Sequence, residues 1–235
     1  MALPTMDLPT HELEIPSTKK KIKFRPFLVK EEKVLLMALE SENEKNIRDA
    51  VFELLKACIS TRIKLENLAT FDLEYIFLNI RAVSVGEIVQ MNITCQDDET
   101  TQVQYNLNLT AAEVIFPEGH SNKIMLTDDL GVIMKYPSFD GFVEGQFSQN
   151  KEFDVIKVVA ESIDQIFQGD EVFDESTTSK KEFVQFVESL TNQQLEKIQG
   201  FFETSPRLEH TFKVTNPNTG VDSEYTLRGL QSFFG

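Results

Sequence analysis

Catalysis or metal binding needs a nucleophile, a base or a set of ligands at workable spacing. The candidates in this chain are three histidines, His11, His120 and His210, and two cysteines, Cys58 and Cys95. No two histidines share a metal-ligand spacing such as HExxH. There is no GxSxG elbow and no Walker loop, and the glycines never cluster as GxGxxG. His120 lies in the loop-like "PEGHSN" and reads as a solvated turn residue. Cys58 falls on an apolar helical face and reads as a buried thiol. The acidic stretches "ESENE", "DDE" and "DEVFDES" read as solvated faces, and no carboxylate pair is marked out for acid–base work.

One pattern does point to ligation. A zinc knuckle places two cysteines across a tight turn as C-x-x-C-G, so that both thiolates meet one metal. "TCQDDE" has Cys95 in the first cysteine position and Asp98 in the second. "NPNTG" has the outline of C-P-x-C-G, with Asn216 and Thr219 in the cysteine positions. One thiolate, one carboxylate and two amide or hydroxyl groups make a poor zinc site. The expectation is two hairpin turns with no metal and no cofactor. The alternative is a degenerate zinc-ribbon knuckle pair whose ligands are gone and whose turns remain. In that case the hairpins at 87–108 and 208–228 lie side by side, with the Cys95 and Asn216 turns facing each other.

The elements that would carry these positions are legible from periodicity. Residues 1–18 hold Pro4, Pro9 and Pro16 and read as an extended arm, with Leu3, Leu8, Leu13 and Ile15 as exposed anchors for a partner. In "KKIKFRPF", Ile22 and Phe24 alternate with Lys21, Lys23 and Arg25, which predicts a short edge strand ended by Pro26. Phe24, Pro26 and Phe27 are expected to pack where this strand enters a helix, and Lys19, Lys20 and Lys21 to flank it as solvated charges or as a docking site for an acidic partner.

"VKEEKVLLMALE" carries acids in its first turn and reads as that helix. Ile47, Ala50, Val51, Leu54, Leu55, Cys58 and Ile59 repeat at helical spacing. "FDLEYIFLNIRAVSVG" is apolar almost all round and reads as the central helix, capped by Thr70 and stopped by Gly86.

From Gly86 the pattern alternates. "EIVQMNITC" with "TQVQYNLNL", and "NKIMLTDDLGVIMKYPS" around Asp128–Gly131, predict two hairpins. Three helices are then expected: one lined by Ile156, Val159, Ala160, Ile163 and Phe167; one by Phe183, Phe186, Val187 and Leu190; one by Leu195, Ile198 and Phe202, with Thr191 and Gln194 as its capping box. "GDEVFDESTTSKK" reads as a polar loop, and the end as strand, tight turn, strand and a short Phe-ended helix. The fold class is α+β: an arm at 1–18, a strand plus helical block at 19–86, a β-rich segment at 87–137, a helical segment at 138–207, and a terminal hairpin with a short helix at 208–235. Residues 87–235 are alternatively one domain.

Bulk properties narrow the function. A net charge of −15 and a pI of about 4.7 argue against coating nucleic acid. No apolar run is long enough to span a bilayer, so no membrane is expected. The start of the chain lacks a signal-peptide layout, and two cysteines do not make a disulfide framework, which reads as a reducing, intracellular setting.

"KKIKFRPFLVKEEKVLLMALES" and the ending "NPNTGVDSEYTLRGLQSFF", with the helical block and the C-x-x-C-like turn between them, are similar to the baseplate hub assembly protein family of T-even-like myophages. The resemblance covers the chain from about Leu8 to Phe234. In that family the knuckle cysteines are often present; here three of the four positions carry other residues. The resemblance implies a virus-encoded protein of the infected cell's cytoplasm, without catalytic activity, that builds the central hub of the tail baseplate through contacts with other hub or tail proteins. Two variants stay open: a virion component, or an assembly chaperone, for example for the tape-measure chain, that leaves before maturity. A hydrolase using a carboxylate pair and a small metal-binding regulator are the competing classes.

Overall fold

Ile22 and Phe24 face inward and Lys21 and Lys23 outward, so four residues of alternating type make strand β2 (Lys21–Phe24). The strand belongs to a computed structural model that describes residues 7–41, 43–138 and 155–233. Leu3 and residues 139–154 of the expected helical segment lie outside the described residues. The described chain is α+β, with six α-helices and four small sheets, and it divides into two compact units. One unit runs up to Ile115 and resumes at Arg207; the other is Phe116–Ser138 with 155–206.

In the first unit β2 pairs antiparallel with β1 (His11–Glu14), opposing Leu13 to Ile22 and His11 to Phe24. This corrects the reading of residues 1–18 as an arm outside the core. Leu13 packs on the core and Ile15 is only 1% exposed. The period-two run His11–Glu14 supplies a partner strand, which outweighs the prolines on either side.

Three helices follow: α1 (Val29–Glu40), α2 (Glu44–Cys58) and α3 (Thr70–Val85). The face of α2 holding Ile47, Ala50, Val51, Leu54, Leu55 and Cys58 is buried as its spacing predicts. Asn43 caps α2 by accepting the Asn46 N–H at 3.1 Å. Helix α3 is central: Leu73, Ile76, Leu78 and Ile80 are fully buried. Its N-cap is Ala69 rather than Thr70, and it stops at Gly86, whose φ of 137° suits glycine.

Strands β3 (Ile88–Thr94) and β4 (Gln102–Asn108) form the expected hairpin. Strand β5 (Glu113–Ile115) does not join a local partner; it edges a sheet with β10 (Arg207–Thr215) and β11 (Asp222–Arg228) in the order β11-β10-β5. The terminal hairpin therefore folds with the N-terminal block, unlike the single-domain reading of 87–235. A 3-10 turn at Leu230–Phe233 buries Leu230 and Phe233 in the same core.

The second unit is a four-stranded antiparallel meander, β6 (Lys123–Met125), β7 (Leu130–Met134), β8 (Ile163–Gln168) and β9 (Glu171–Asp174), with helices α4 (Val155–Glu161), α5 (Lys180–Glu188) and α6 (Asn192–Glu203). The single helix expected through Ile156, Ile163 and Phe167 is instead a short helix and a strand. Gly169, at φ 57°, turns the chain so that "IDQIFQ" pairs with "EVFD", part of the stretch read as a polar loop. The capping box of Thr191 and Gln194 on α6 is present.

Candidate functional site

The turn between β3 and β4 starts at Cys95, and the turn between β10 and β11 at Asn216. They share one backbone device. The Glu99 N–H donates to the Cys95 carbonyl at 2.9 Å, and the Gly220 N–H to the Asn216 carbonyl at 2.8 Å. The fifth residue of each has positive φ, 55° at Glu99 and 76° at Gly220. The two hairpins lie side by side on a small core of Ile93, Phe212 and Val214, where Tyr105 stacks on Phe212 with centroids 4.1 Å apart.

The turns face each other through a polar clasp. Asn216, 1% exposed, donates from Nδ2 to Asp97 Oδ1 at 2.9 Å and to Asp98 Oδ2 at 3.0 Å. The Thr219 hydroxyl donates to Asp97. Asn218 Nδ2 donates to Thr101 Oγ1 at 2.9 Å, and Tyr225 donates its hydroxyl to the Thr94 carbonyl at 2.9 Å. Asp98 also accepts the N–H groups of Thr100 and Thr101, at 3.1 and 2.9 Å. Bonds from Thr101, Asn216 and Thr100 hold the Asp98 carboxyl far below the usual carboxylate range, and those from Asn216 and Thr219 lower Asp97.

Cys95 is buried, and desolvation together with Asp97 and Asp98 raises its thiol, so it stays protonated at neutral pH. Among the described residues no three His, Cys, Asp or Glu side chains are grouped to hold a metal ion. The fold thus brings Asp98, Asn216 and Thr219 together and engages them with one another, through Asp97. Asp97 was missed in the sequence because it occupies an "x" of the turn pattern, where residue type carries no signal.

The strand-to-helix junction forms the second candidate region. Phe24 is 2% exposed and bridges to Ile59, while the Arg25 N–H donates to the Cys58 carbonyl at 2.9 Å. Pro26 is half-buried, and Phe27 packs on the core with its N–H on Ser84 Oγ at 2.9 Å. Arg25 reaches across to the first turn of α1. It forms a two-pronged pair with Glu31, at 2.7 and 3.0 Å, and Glu31 also accepts the Leu28 N–H at the start of α1. Lys19, Lys20 and Lys21 are exposed at the β1–β2 turn, where Lys19 has φ 57°. Of the expected anchors, Leu8 and Leu13 are half-buried and Ile15 is enclosed, so Leu13 and Ile15 serve this chain's own core.

The histidines are occupied structurally. His120 lies between the Thr204 hydroxyl and the Tyr136 hydroxyl, each at 2.9 Å, and against Phe201, so it is not a freely solvated turn residue; burial lowers its pKa. His210 Nδ1 is 3.2 Å from the Ala111 carbonyl, and His11 lies against Phe24. Cys58 is buried, and desolvation pushes its thiol up to about 11.

Two buried carboxylates had gone unmarked. Asp72 is fully buried and accepts the Ser17 N–H at 3.0 Å and the Ser17 hydroxyl; burial raises its pKa. Glu74 accepts the Leu230 N–H, and burial pushes its carboxyl up to about 7. Two residues apart on one helix, they point about 160° apart and make no acid–base pair.

No helix among the described residues is long and apolar enough to cross a membrane. Comparison with curated proteins and with solved structures finds no match. A family model described as T4 bacteriophage base plate protein matches residues 8–235. With nearly its whole length matched, from Leu8 just ahead of β1 through both facing turns to the C-terminus, this chain belongs to the family of T4 bacteriophage base plate proteins.

Proposed function

We propose that this protein acts without catalysis, through protein–protein contacts, in building the central hub of the phage baseplate. The family match over 8–235 carries the reading. Three features support a contact role. The buried carboxylates Asp72 and Glu74 are bound to Ser17 and Leu230. The histidines serve packing. The net charge of −15 keeps the chain soluble and disfavours a nucleic acid partner. Its partners are other hub or tail proteins, met in the host cytoplasm during assembly, and the exposed basic run Lys19, Lys20 and Lys21 is the proposed contact for an acidic one. No membrane is involved.

The clasp between the Cys95 and Asn216 turns has the outline of a degenerate knuckle pair. In this reading hydrogen bonds among Asp97, Asp98, Asn216 and Thr219 do the joining that a metal does in a zinc ribbon. The protein then folds fully without metal, whereas stoichiometric zinc in protein purified without added metal supports a metal-binding regulator instead.

Affinity purification from infected cells, with mass spectrometry of co-purifying tail proteins and of purified particles, tests the function. Hub or tail proteins in the eluate support it, and the protein's presence in mature particles makes it a virion component. Absence from particles, with tail proteins still in the eluate, favours the transient chaperone. An eluate with no tail protein overturns both.

A further inference from the structure

Strand β10 is a middle strand at its start and an edge strand for the rest of its length. β5 pairs with Arg207, Leu208 and Glu209 and stops, while β11 runs along the other side from Glu209 to Thr215. Bonds at the two ends of the β10–β11 hairpin fix which way each residue turns. The Asn216 N–H donates to the Val221 carbonyl at 2.8 Å, and the Gly229 N–H to the Leu208 carbonyl at 2.9 Å. An antiparallel ladder alternates, so Leu208, His210, Phe212 and Val214 turn their backbone groups to β11. Thr211, Lys213 and Thr215 turn theirs to the side that β5 leaves open. Among the described residues no strand pairs with them there. The slot ends at β5 in one direction and at the Asn216 turn in the other. Its two faces differ. Phe212 and Val214 are buried against a small core in which Met91, Val103 and Tyr105 are only half-buried. Thr211, Lys213 and Thr215 are exposed on the opposite face. Lys213 forms no ion pair among the described residues; Glu224 stands opposite it on β11, and its other flank is open.

We propose that this slot takes an extended arm of another tail protein as an added strand, with Asp or Glu opposite Lys213 and apolar residues beside Phe212 and Val214. The backbone groups of Thr211, Lys213 and Thr215 select the form of the partner. They are bonded by an extended segment laid alongside, not by a helix or a lipid surface. The faces select its pattern, because neighbouring strands share a face residue by residue. Charge and space decide against a second copy. Two β10 edges paired through the whole slot set Lys213 against Lys213, and a lysine on an edge is a common guard against such self-pairing. The β11 edge of a second copy, seated with Glu224 beside Lys213, brings both first units onto one side of a single sheet. They would then lie only two strand spacings apart, about 10 Å, too close for two cores. A free arm carries no such bulk. The inference rests on the proposed contact role for the source of the partner.

Hydrogen exchange on the purified full chain tests whether the slot is open. The Thr211, Lys213 and Thr215 amides should exchange about tenfold or more faster than those of Phe212 and Val214, which are bonded to β11. Equal protection of the two sets means that this chain or a second copy already fills the slot, and overturns the proposal. Benzoylphenylalanine at Thr211 of the full chain, photo-crosslinked in infected cells, tests the partner, with adducts mapped by mass spectrometry. The expected adduct lies in one segment of another tail protein that alternates apolar with polar residues and carries Asp or Glu beside the adduct. Lys213→Glu should lower its yield about tenfold or more with an unchanged thermal melt. Lys213→Pro, which removes an N–H from the open edge and none from the β11 ladder, should do the same. Should the proline variant melt early, Lys213→Glu decides in its place. Adducts within the same chain, on a second copy, or on a segment without alternation or an acid overturn the proposal. So does the absence of adducts, or an unchanged yield in Lys213→Glu. Where tail proteins still co-purify with the wild type, such a result removes the β10 slot and leaves the contact role standing; where none co-purifies, the contact role itself has failed.

Discussion

Glu74 joins the middle of the chain to its end, because its carboxyl accepts the Leu230 N–H in an enclosed site. An unfolded chain ionises this group near 4.5, while the folded protein holds its proton up to about 7. Between those values the folded state carries the extra proton, so stability falls as pH rises through the window, and the full cost, roughly 3 kcal/mol, is present above it. Glu74→Gln keeps an acceptor for the N–H and has no proton to lose. Urea unfolding at pH 5 and pH 8 should show the variant gaining on the wild type at the higher pH. His120, whose pKa is lowered, contributes the opposite slope just below 6.5, so the difference between the two proteins isolates Glu74. Phe24→Ala should cost about 3–5 kcal/mol, read by the same method, as for other enclosed aromatic truncations. Phe24 was legible because it alternates with lysines. The burial of Asp72 and Glu74 was not, since acids near the start of a helix have a sufficient reason in the dipole alone and their partners, Ser17 and Leu230, come from distant segments.

At the scale of elements, local chemistry read well where a cap, a turn or a clean period was present, as in α1, α2, the β3–β4 hairpin and the capping box of α6. The period failed at β8. Ile156, Val159, Ala160, Ile163 and Phe167 fit a helix by spacing, yet the chain changes to strand after Glu161, because Gly169 allows a hairpin and gives "IDQIFQ" neighbours on both sides. That sheet depends on another glycine. A Cβ at Gly131 would stand 2.4 Å from Phe167 Cζ and 2.8 Å from the Ile124 carbonyl oxygen. Gly131→Ala should lower stability by about 1–3 kcal/mol as an overpacking change, measured as a fall in the denaturation midpoint. The facing turns make a separate test. Asn216→Ala removes the donor shared by Asp97 and Asp98 and should cost about 1–3 kcal/mol, with or without chelator in the buffer. A loss seen only in chelator would point to a metal in place of the clasp.

Across the whole molecule, sequence order and spatial order diverge. Strand β5 waits for β10, nearly a hundred residues later, and the intervening chain folds as its own unit. No periodicity could reveal that, because a strand's pattern shows which face it buries and not which strand it joins. The exposed run Lys19–Lys21 offers a test at this scale. Changing all three lysines to glutamine should leave the melt within about 0.5 kcal/mol of wild type, as for other exposed charges. Loss of baseplate assembly despite that would make the run a docking site.

The return of the C-terminal segment also sets a timetable for synthesis. Leu208, Leu230 and Phe233 are enclosed in the first unit's core, beside helices made long before them. A ribosome that has just finished residue 206 has made everything the second unit contains, while α3 still lacks its last neighbours and Glu74 its amide. The older part of the chain therefore waits with an open apolar surface after the younger part has been made in full, and a message cut short near its end would yield a protein whose first-made half is the one left unfinished.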